Sequence, residues 1–223
     1  AQTSVAGRIT ARGAGSDGAG GRVETSGGTL RVDNTLSVNA GAQDPRRAGR
    51  WLLDPYSYLI DSAAAGSIQA ALTSTNVTVT TGQNNSSFGS TGSTCATTAC
   101  SIIWAAPIVV STSTNLELVS DGDISFSGYG PPLYSQAGSG SLLLKAVGHV
   151  MGSGDLAMNG GSVTVDNAGT SNAFNFSGQI SGSGTSLVKQ GPGIFNLAAS
   201  QTYTGATRVL GGVLALSGSG SIA

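Results

Sequence analysis

Residues 116–158 read LELVSDGDISFSGYGPPLYSQAGSGSLLLKAVGHVMGSGDLAM. Within this stretch apolar side chains come as pairs two residues apart: Leu116 and Leu118, Ile124 and Phe126, Leu142 and Leu144, Leu156 and Met158. A spacing of two is that of a strand with one buried face. The same pairing recurs on both sides, at Leu30 and Val32, Leu36 and Val38, Val77 and Val79, Val163 and Val165, and Phe174 and Phe176. Successive pairs follow after only seven or eight residues at Leu116 to Ile124, Leu156 to Val163 and Leu187 to Ile194, with Gly, Asn, Asp or Ser between them. Sandwiches and barrels use strands of about five or six residues at spacings of about 8 to 12. The tighter spacing predicts a right-handed parallel β-helix, a β-solenoid with three short strands in each coil of roughly 20 to 25 residues and coils stacked about 4.8 Å apart.

The composition agrees. Of 223 residues, 35 are Gly, 9% are charged and 5% aromatic, with a heavy load of Ser, Thr, Asn and Ala, all far from ordinary globular usage. Such residues are poor helix formers and suit strands and turns. Disorder is the competing reading of a polar Gly/Ser-rich chain. With 39% apolar residues and a mean hydropathy of +0.12, regularly placed pairs can instead stack into a continuous core. The chain is therefore read as one unit over 1–223.

Ten Lys and Arg against eleven Asp and Glu leave a net charge of -1, so no basic field exists to hold nucleic acid or an anionic membrane. No apolar run of about 18 residues offers a spanning helix. The first residues, AQTSVAGRITARGAGSD, lack the apolar core of a signal peptide, so the chain reads as a mature or excised piece.

Three segments depart from the pattern. In 66–72, GSIQAAL, the spacing of Ile68, Ala71 and Leu72 suits one or two helical turns with Ser67 as N-cap. Residues 81–103 show no apolar period before Ile102, and are read as a long excursion from the coil. Cys95 and Cys100 in CATTAC would pin it with a local disulfide, contributing only about 2 kcal/mol. In 129–140, YGPPLYSQAGSG, two prolines that cannot donate ladder hydrogen bonds predict a protruding loop. The excursion and this loop, at 82–100 and 129–138, are the expected binding segments.

WLLDP at Trp51, Leu52, Leu53, Asp54 and Pro55, followed by NVTVTT at 76–81 and DGDISFSG at 121–128, resembles the filamentous-haemagglutinin-like exoproteins and related autotransporter passengers, and GGRVETSGGTLRV at 20–32 resembles the coil that precedes that motif in them. This likeness covers 20–128. Within 178–220, LVKQGPGIFNL and TYTGATRVLGGVLAL resemble the passenger-associated transport repeat of autotransporters, through Leu187, Lys189, Gly191, Gly193, Tyr203, Gly205, Thr207, Val209, Gly212 and Leu214, with Pro192 and Ala206 departing from the commonest residues. The resemblance implies type V secretion to the bacterial cell surface through an outer-membrane β-barrel translocator. It also implies a non-catalytic role as stalk and adhesin, with C-terminal coils aiding export, no cofactor, and a host or bacterial surface glycan or protein as partner. Self-association of the rod is a further option.

The alternative is a carbohydrate-active enzyme, a lyase or glycosidase, on the same fold. It would need two carboxylates on neighbouring coils, about 5 to 9.5 Å apart in a glycosidase. Glu117, Asp121 and Asp123 form the densest acidic cluster, with Asp155 and Asp166 beyond, but Asp121-Gly122-Asp123 is a turn signature in its own right. His149 has no partner at a motif spacing and reads as structural, Lys189 as a solvated side chain of the repeat, and Arg46, Arg47 and Arg50 as a solvated basic loop. No calcium nonapeptide, zinc set, GxSxG, HExxH or P-loop occurs.

Overall fold

The computed structural model describes residues 2–82, 100–128 and 132–222. Through them the backbone winds as a parallel β-helix. The first coil holds β1 (Gln2–Val5) and β2 (Arg8–Thr10), and the second β3 (Arg22–Gly27), β4 (Thr29–Val32) and β5 (Ser37–Asn39). The third has β6 (Arg50–Pro55), β7 (Tyr58–Ile60) and, in place of a third strand, α1 (Ser62–Ala71). Then come β8 (Asn76–Thr81), β9 (Ile102–Trp104) and β10 (Ile108–Val110), followed by β11 (Leu116–Ser120), β12 (Ile124–Ser127) and β13 (Tyr134–Gln136). The next coils are β14 (Leu142–Ala146), β15 (Val150–Ser153) and β16 (Leu156–Met158), then β17 (Ser162–Asn167), β18 (Asn175–Phe176) and β19 (Ile180–Gly182). Last are β20 (Ser186–Gln190), β21 (Ile194–Leu197) and β22 (Thr202–Tyr203), with β23 (Thr207–Val209) and β24 (Val213–Leu216) closing the order.

Every pairing between these strands is parallel and joins one coil to the next. They make three long faces, of eight strands from β3 to β23, seven from β7 to β24 and five from β10 to β22, with the pairs β1-β4 and β2-β5 below them. The coil length follows from the register. Leu116 faces Leu142, Leu142 faces Val163, Val163 faces Leu187 and Leu187 faces Thr207, steps of 26, 21, 24 and 20 residues. The expected coil is therefore the observed one from Leu116 onward, whereas the earlier steps, Val23 to Trp51, Trp51 to Val77 and Val77 to Leu116, are 28, 26 and 39 residues.

Identical registers stack inward side chains into columns. Val23, Trp51, Val77, Leu116, Leu142, Val163 and Leu187 form one column of the first face, and Leu53, Val79, Leu118, Leu144 and Val165 a second beside it. On the second face the fillers are aromatic: Trp104 stacks on Phe126 at 5.7 Å between centroids, Phe126 meets Phe176 edge-on at 5.4 Å, and Phe176 lies 5.7 Å from Phe195. Offset and edge-on contacts are the favourable ones for such rings.

Three expectations need correction. The helix begins earlier than GSIQAAL suggests, because Asp61 rather than Ser67 is its N-cap: its carboxylate accepts the Ala64 N–H at 2.9 Å. Ser67 is inside the helix and buried, and its hydroxyl donates to Asp33 O at 2.9 Å. The loop expected at 129–140 is displaced by tertiary packing: Tyr134–Gln136 is β13, Tyr134 is fully buried 5.6 Å from Trp104, and residues 129–131 lie outside those described. Finally, Phe174 is not the inward partner of Phe176 but is 39% exposed, with its ring 4.2 Å from that of His149.

Candidate functional site

The most densely specified constellation is the one at 187–216. β20 alternates inward and outward, so Leu187 and Lys189 both point into the coil. Lys189 continues the column of Leu53, Val79, Leu118, Leu144 and Val165, with Val209 above it. It is not solvated as expected: its relative exposure is 0%. Strand alternation overrules the preference of the charge for water, and the corner backbone supplies what water would have given. The Nζ donates to Gln190 O, to Gly191 O at 3.1 Å and to Gly211 O at 3.4 Å. Gly211 belongs to the next coil, so one ammonium ties two corners together. Burial pushes the Lys189 pKa below its usual value, and the carboxylate of Asp166 opposes that shift.

The remaining motif residues serve the same two coils. Gly191 and Gly193 form the corner between β20 and β21. Tyr203 is fully buried and its hydroxyl is hydrogen-bonded to that of Thr207, which holds the next corner. Gly212 has φ +65°, and a Cβ there would lie 2.2 Å from Gly193 O. A Cβ on Gly205 would fall 2.3 Å from Thr185 O, so both sites require glycine for close stacking of corners. Leu214 packs against the core, while Val209, in register with Lys189 on the last strand of its face, is half exposed.

Replacing Lys189 separates these contributions. Lys189→Ala leaves a cavity and removes the donor from three carbonyls, an expected loss of about 2–4 kcal/mol. Lys189→Met keeps the volume and removes the cost of burying charge, so its loss is expected to be less than half as large. Urea midpoints of the three proteins test the order wild type, Met, Ala; an Ala variant as stable as the wild type would contradict it.

A second polar constellation sits at the corner between the first and second faces. The buried carboxylate of Asp123 accepts the His149 backbone N–H at 2.7 Å and lies 3.3 Å from its Nδ1. On the following coil the Ser171 N–H donates to His149 Nε2 at 3.3 Å. His149 thus has the partner that no sequence spacing revealed, 26 positions earlier and one coil away. Three of the other candidate acids are engaged separately: Glu117 pairs with Arg50 at 3.4 Å and accepts from Thr78, Asp155 accepts the Gln179 N–H, and Asp166 pairs with Lys145 at 3.7 Å.

WLLDP is a strand, β6. Trp51 and Leu53 point inward and are fully buried, and Trp51 Nε1–H donates to Thr25 Oγ1 at 3.1 Å. Leu52 and Asp54 face out, where Asp54 accepts from Thr80 Oγ1 at 2.7 Å, and Pro55 is buried opposite Gly27 at the strand end. Of the three basic residues ahead of the motif, Arg46 and Arg47 end a short 3-10 turn, Pro45–Arg47. Cys100 is fully buried, and the Thr81 hydroxyl donates to its carbonyl. Cys95 lies outside the described residues, as does most of the excursion at 81–103.

The family model of the passenger-associated-transport-repeat matches residues 187–216, an autotransporter passenger-type repeat spanning β20 to β24. No curated protein and no solved structure matches the chain.

Proposed function

We propose that a chain whose last coils carry such a repeat is a non-catalytic stretch of a bacterial secreted or surface exoprotein, working as stalk and adhesive surface. The observation that carries this reading is the match at 187–216 on coils continuous with the rest of the rod. An autotransporter passenger of this kind is exported through an outer-membrane β-barrel and lies outside the cell. No helix among the described residues is long and apolar enough to cross a membrane.

A repeat that folds outside the cell presents its last corner as a template for the next coil, and the Lys189 bond to Gly211 O supports that role by linking two coils directly. On this reading 20–128 is the haemagglutinin-like part and 178–220 the export-assisting part of one unit. The preference for a structural role over a polysaccharide-cleaving one draws on the carboxylates: Asp123, Asp155 and Asp166 each hold a neighbouring coil in place.

Adhesion would come from weak contacts summed along the rod to a cell-surface glycan or protein. The excursion is the proposed contact, closed by a Cys95–Cys100 disulfide. The chain with 83–99 replaced by a short Gly-Ser linker is expected to keep its circular dichroism and lose most cell binding, while alkylation without reductant leaves both cysteines of the intact chain unmodified. Undiminished adhesion of the folded variant would overturn the placement. Release of reducing ends or unsaturated products from a polysaccharide panel would overturn the non-catalytic reading.

A further inference from the structure

On the second face the ladder is broken once. β7 pairs upward with β9, and β4 pairs downward with β1, but β4 and β7 do not pair with each other although they belong to successive coils. The cause is α1. A helix is about 10 Å thick where a strand takes about 4.8 Å, so the helix that replaces the third strand of this coil props it away from the coil below. The first face stays zipped through all six pairs from Arg22 and Arg50 to Gly27 and Pro55, and the coils part after the Tyr56 N–H bond to Gly28 O at 3.3 Å. They are tied again by Ser67 to Asp33 O. A groove opens between these two ties and runs out over the outer face of β4 to Gln2 and Ser4, about 730 Å³ in all.

Both walls are strand edges. Backbone groups of a parallel strand point alternately to its two sides. The Asp33 N–H bonds down to Val5 O, so the amides of Leu30 and Val32 face up into the groove. The Tyr58 N–H bonds up to Ser101 O and Ile60 O accepts from Ala105 N, so the amide of Leu59 faces down into it. By this alternation the β1–β4 and β7–β9 ladders use the neighbouring amides and leave these three turned to the gap between β4 and β7, which do not pair. Leu30, Val32 and Leu59 all line the groove, as does Arg31 on the outer face of β4, and Asp33 and Asp61 each follow directly on the strand that forms a wall, β4 and β7. Hydrogen bonds from Thr35 hold Asp33 below its usual pKa and therefore ionised.

We propose that this groove takes one extended polypeptide segment as an inserted strand, bonded to β4 on one side and β7 on the other, with a basic side chain beside Asp33 and Asp61. Facing edges give main-chain affinity, and the carboxylate pair gives orientation. The inference does not rest on the adhesive reading, and it would stand if the excursion proved to bind nothing.

The probe is acetyl-Thr-Val-Thr-Val-Lys-amide carrying a fluorophore, titrated into the whole chain. Saturable binding is expected, weakened about tenfold or more when both valines are N-methylated, which removes the donors on one edge. Leu59→Pro is expected to weaken it similarly. That change deletes the N–H facing the groove and leaves the Tyr58 and Ile60 bonds to the β9 side intact, and the Leu59 side chain is half exposed. Exchange of Lys for Glu in the probe is expected to weaken binding as well. Should Leu59→Pro fail to fold, Thr29→Trp, which fills the groove from its exposed rim, decides in its place. No saturable binding, equal binding of the N-methylated probe, equal binding by a folded Leu59→Pro or Thr29→Trp chain, or displacement of the probe by chitotetraose would each overturn the proposal.

Discussion

Trp51→Ala is expected to cost about 3–5 kcal/mol, the range for a fully buried large aromatic side chain. Trp51 is 0% exposed in the column between Val23 and Val77, in the part of the rod where the fillers of neighbouring coils are smaller. Its removal opens a cavity that Val23 and Val77 cannot fill. It also strips the Thr25 hydroxyl of the indole donor, leaving Thr25 only its bond to Leu52 O at 3.4 Å. In a stacked rod each coil contacts only its neighbours, so the loss should stay local. Hydrogen exchange is expected to accelerate in β3, β6 and β8 while β14, β17 and β20 keep their protection. The control is Leu52→Ala one position away, outward-facing and expected to cost under about 1 kcal/mol. An indifferent Trp51→Ala, or one that melts the far coils equally, would contradict the packing described here.

The architecture was legible because period-two pairs report both strand and burial at once. Leu116 and Leu118, Leu142 and Leu144, and Val163 and Val165 all lie inside, and the short steps between pairs left no room for hairpins. What failed did so where long-range packing overrode a local signal. Prolines at 131 and 132 argue for a loop, but Tyr134 packs inward against Trp104, and a strand begins two residues after Pro132. The start of α1 was missed because Asp61 looks like any turn residue until its carboxylate is seen on the Ala64 N–H.

The polar sites were less legible, and for a single reason. In a parallel coil the neighbours of a residue lie about one coil away in sequence, a distance that varies with every corner. The Asp123 to His149 contact spans 26 positions and the Lys189 to Gly211 contact 22. No fixed spacing encodes either. For Lys189 one signal was present: it stands two residues after Leu187 on an alternating strand, and that parity places it inside whatever its charge.

Alkaline solution is expected to unfold the rod more steeply than its few charges suggest. Burial pushes the phenols of Tyr58 and Tyr134 far above their ordinary value near 10, with Asp61 adding to the effect at Tyr58, and it raises that of Tyr203 against the opposing hydrogen bond with Thr207. The unfolded chain releases those protons near pH 10 and the folded chain holds them to higher pH. The folded state then binds more protons, and stability falls as pH rises. The contribution is whole below pH 10 and is lost above it at about 1.4 kcal/mol per tyrosine per pH unit. Lys189 acts in the opposite sense: its lowered pKa makes the folded chain the one that sheds a proton first, adding stability as pH climbs toward the ordinary lysine value. Three phenols outweigh one amine, and the lysine contribution ends just where theirs begins. Urea midpoints at pH 8, 10 and 11, with tyrosinate absorbance as the readout of ionisation, should show the fall. Tyr58→Phe separates the causes further, because the Tyr58 hydroxyl is buried without a hydrogen-bond partner among the described residues, whereas that of Tyr134 donates to Gln136 Oε1 at 3.1 Å. Removing the first is expected to leave the protein as stable at pH 7, or more stable by about 1 kcal/mol, and to lessen the alkaline slope. Removing the second should lessen the slope too but lower stability at neutral pH. A slope unchanged by either substitution would place the titrating groups elsewhere.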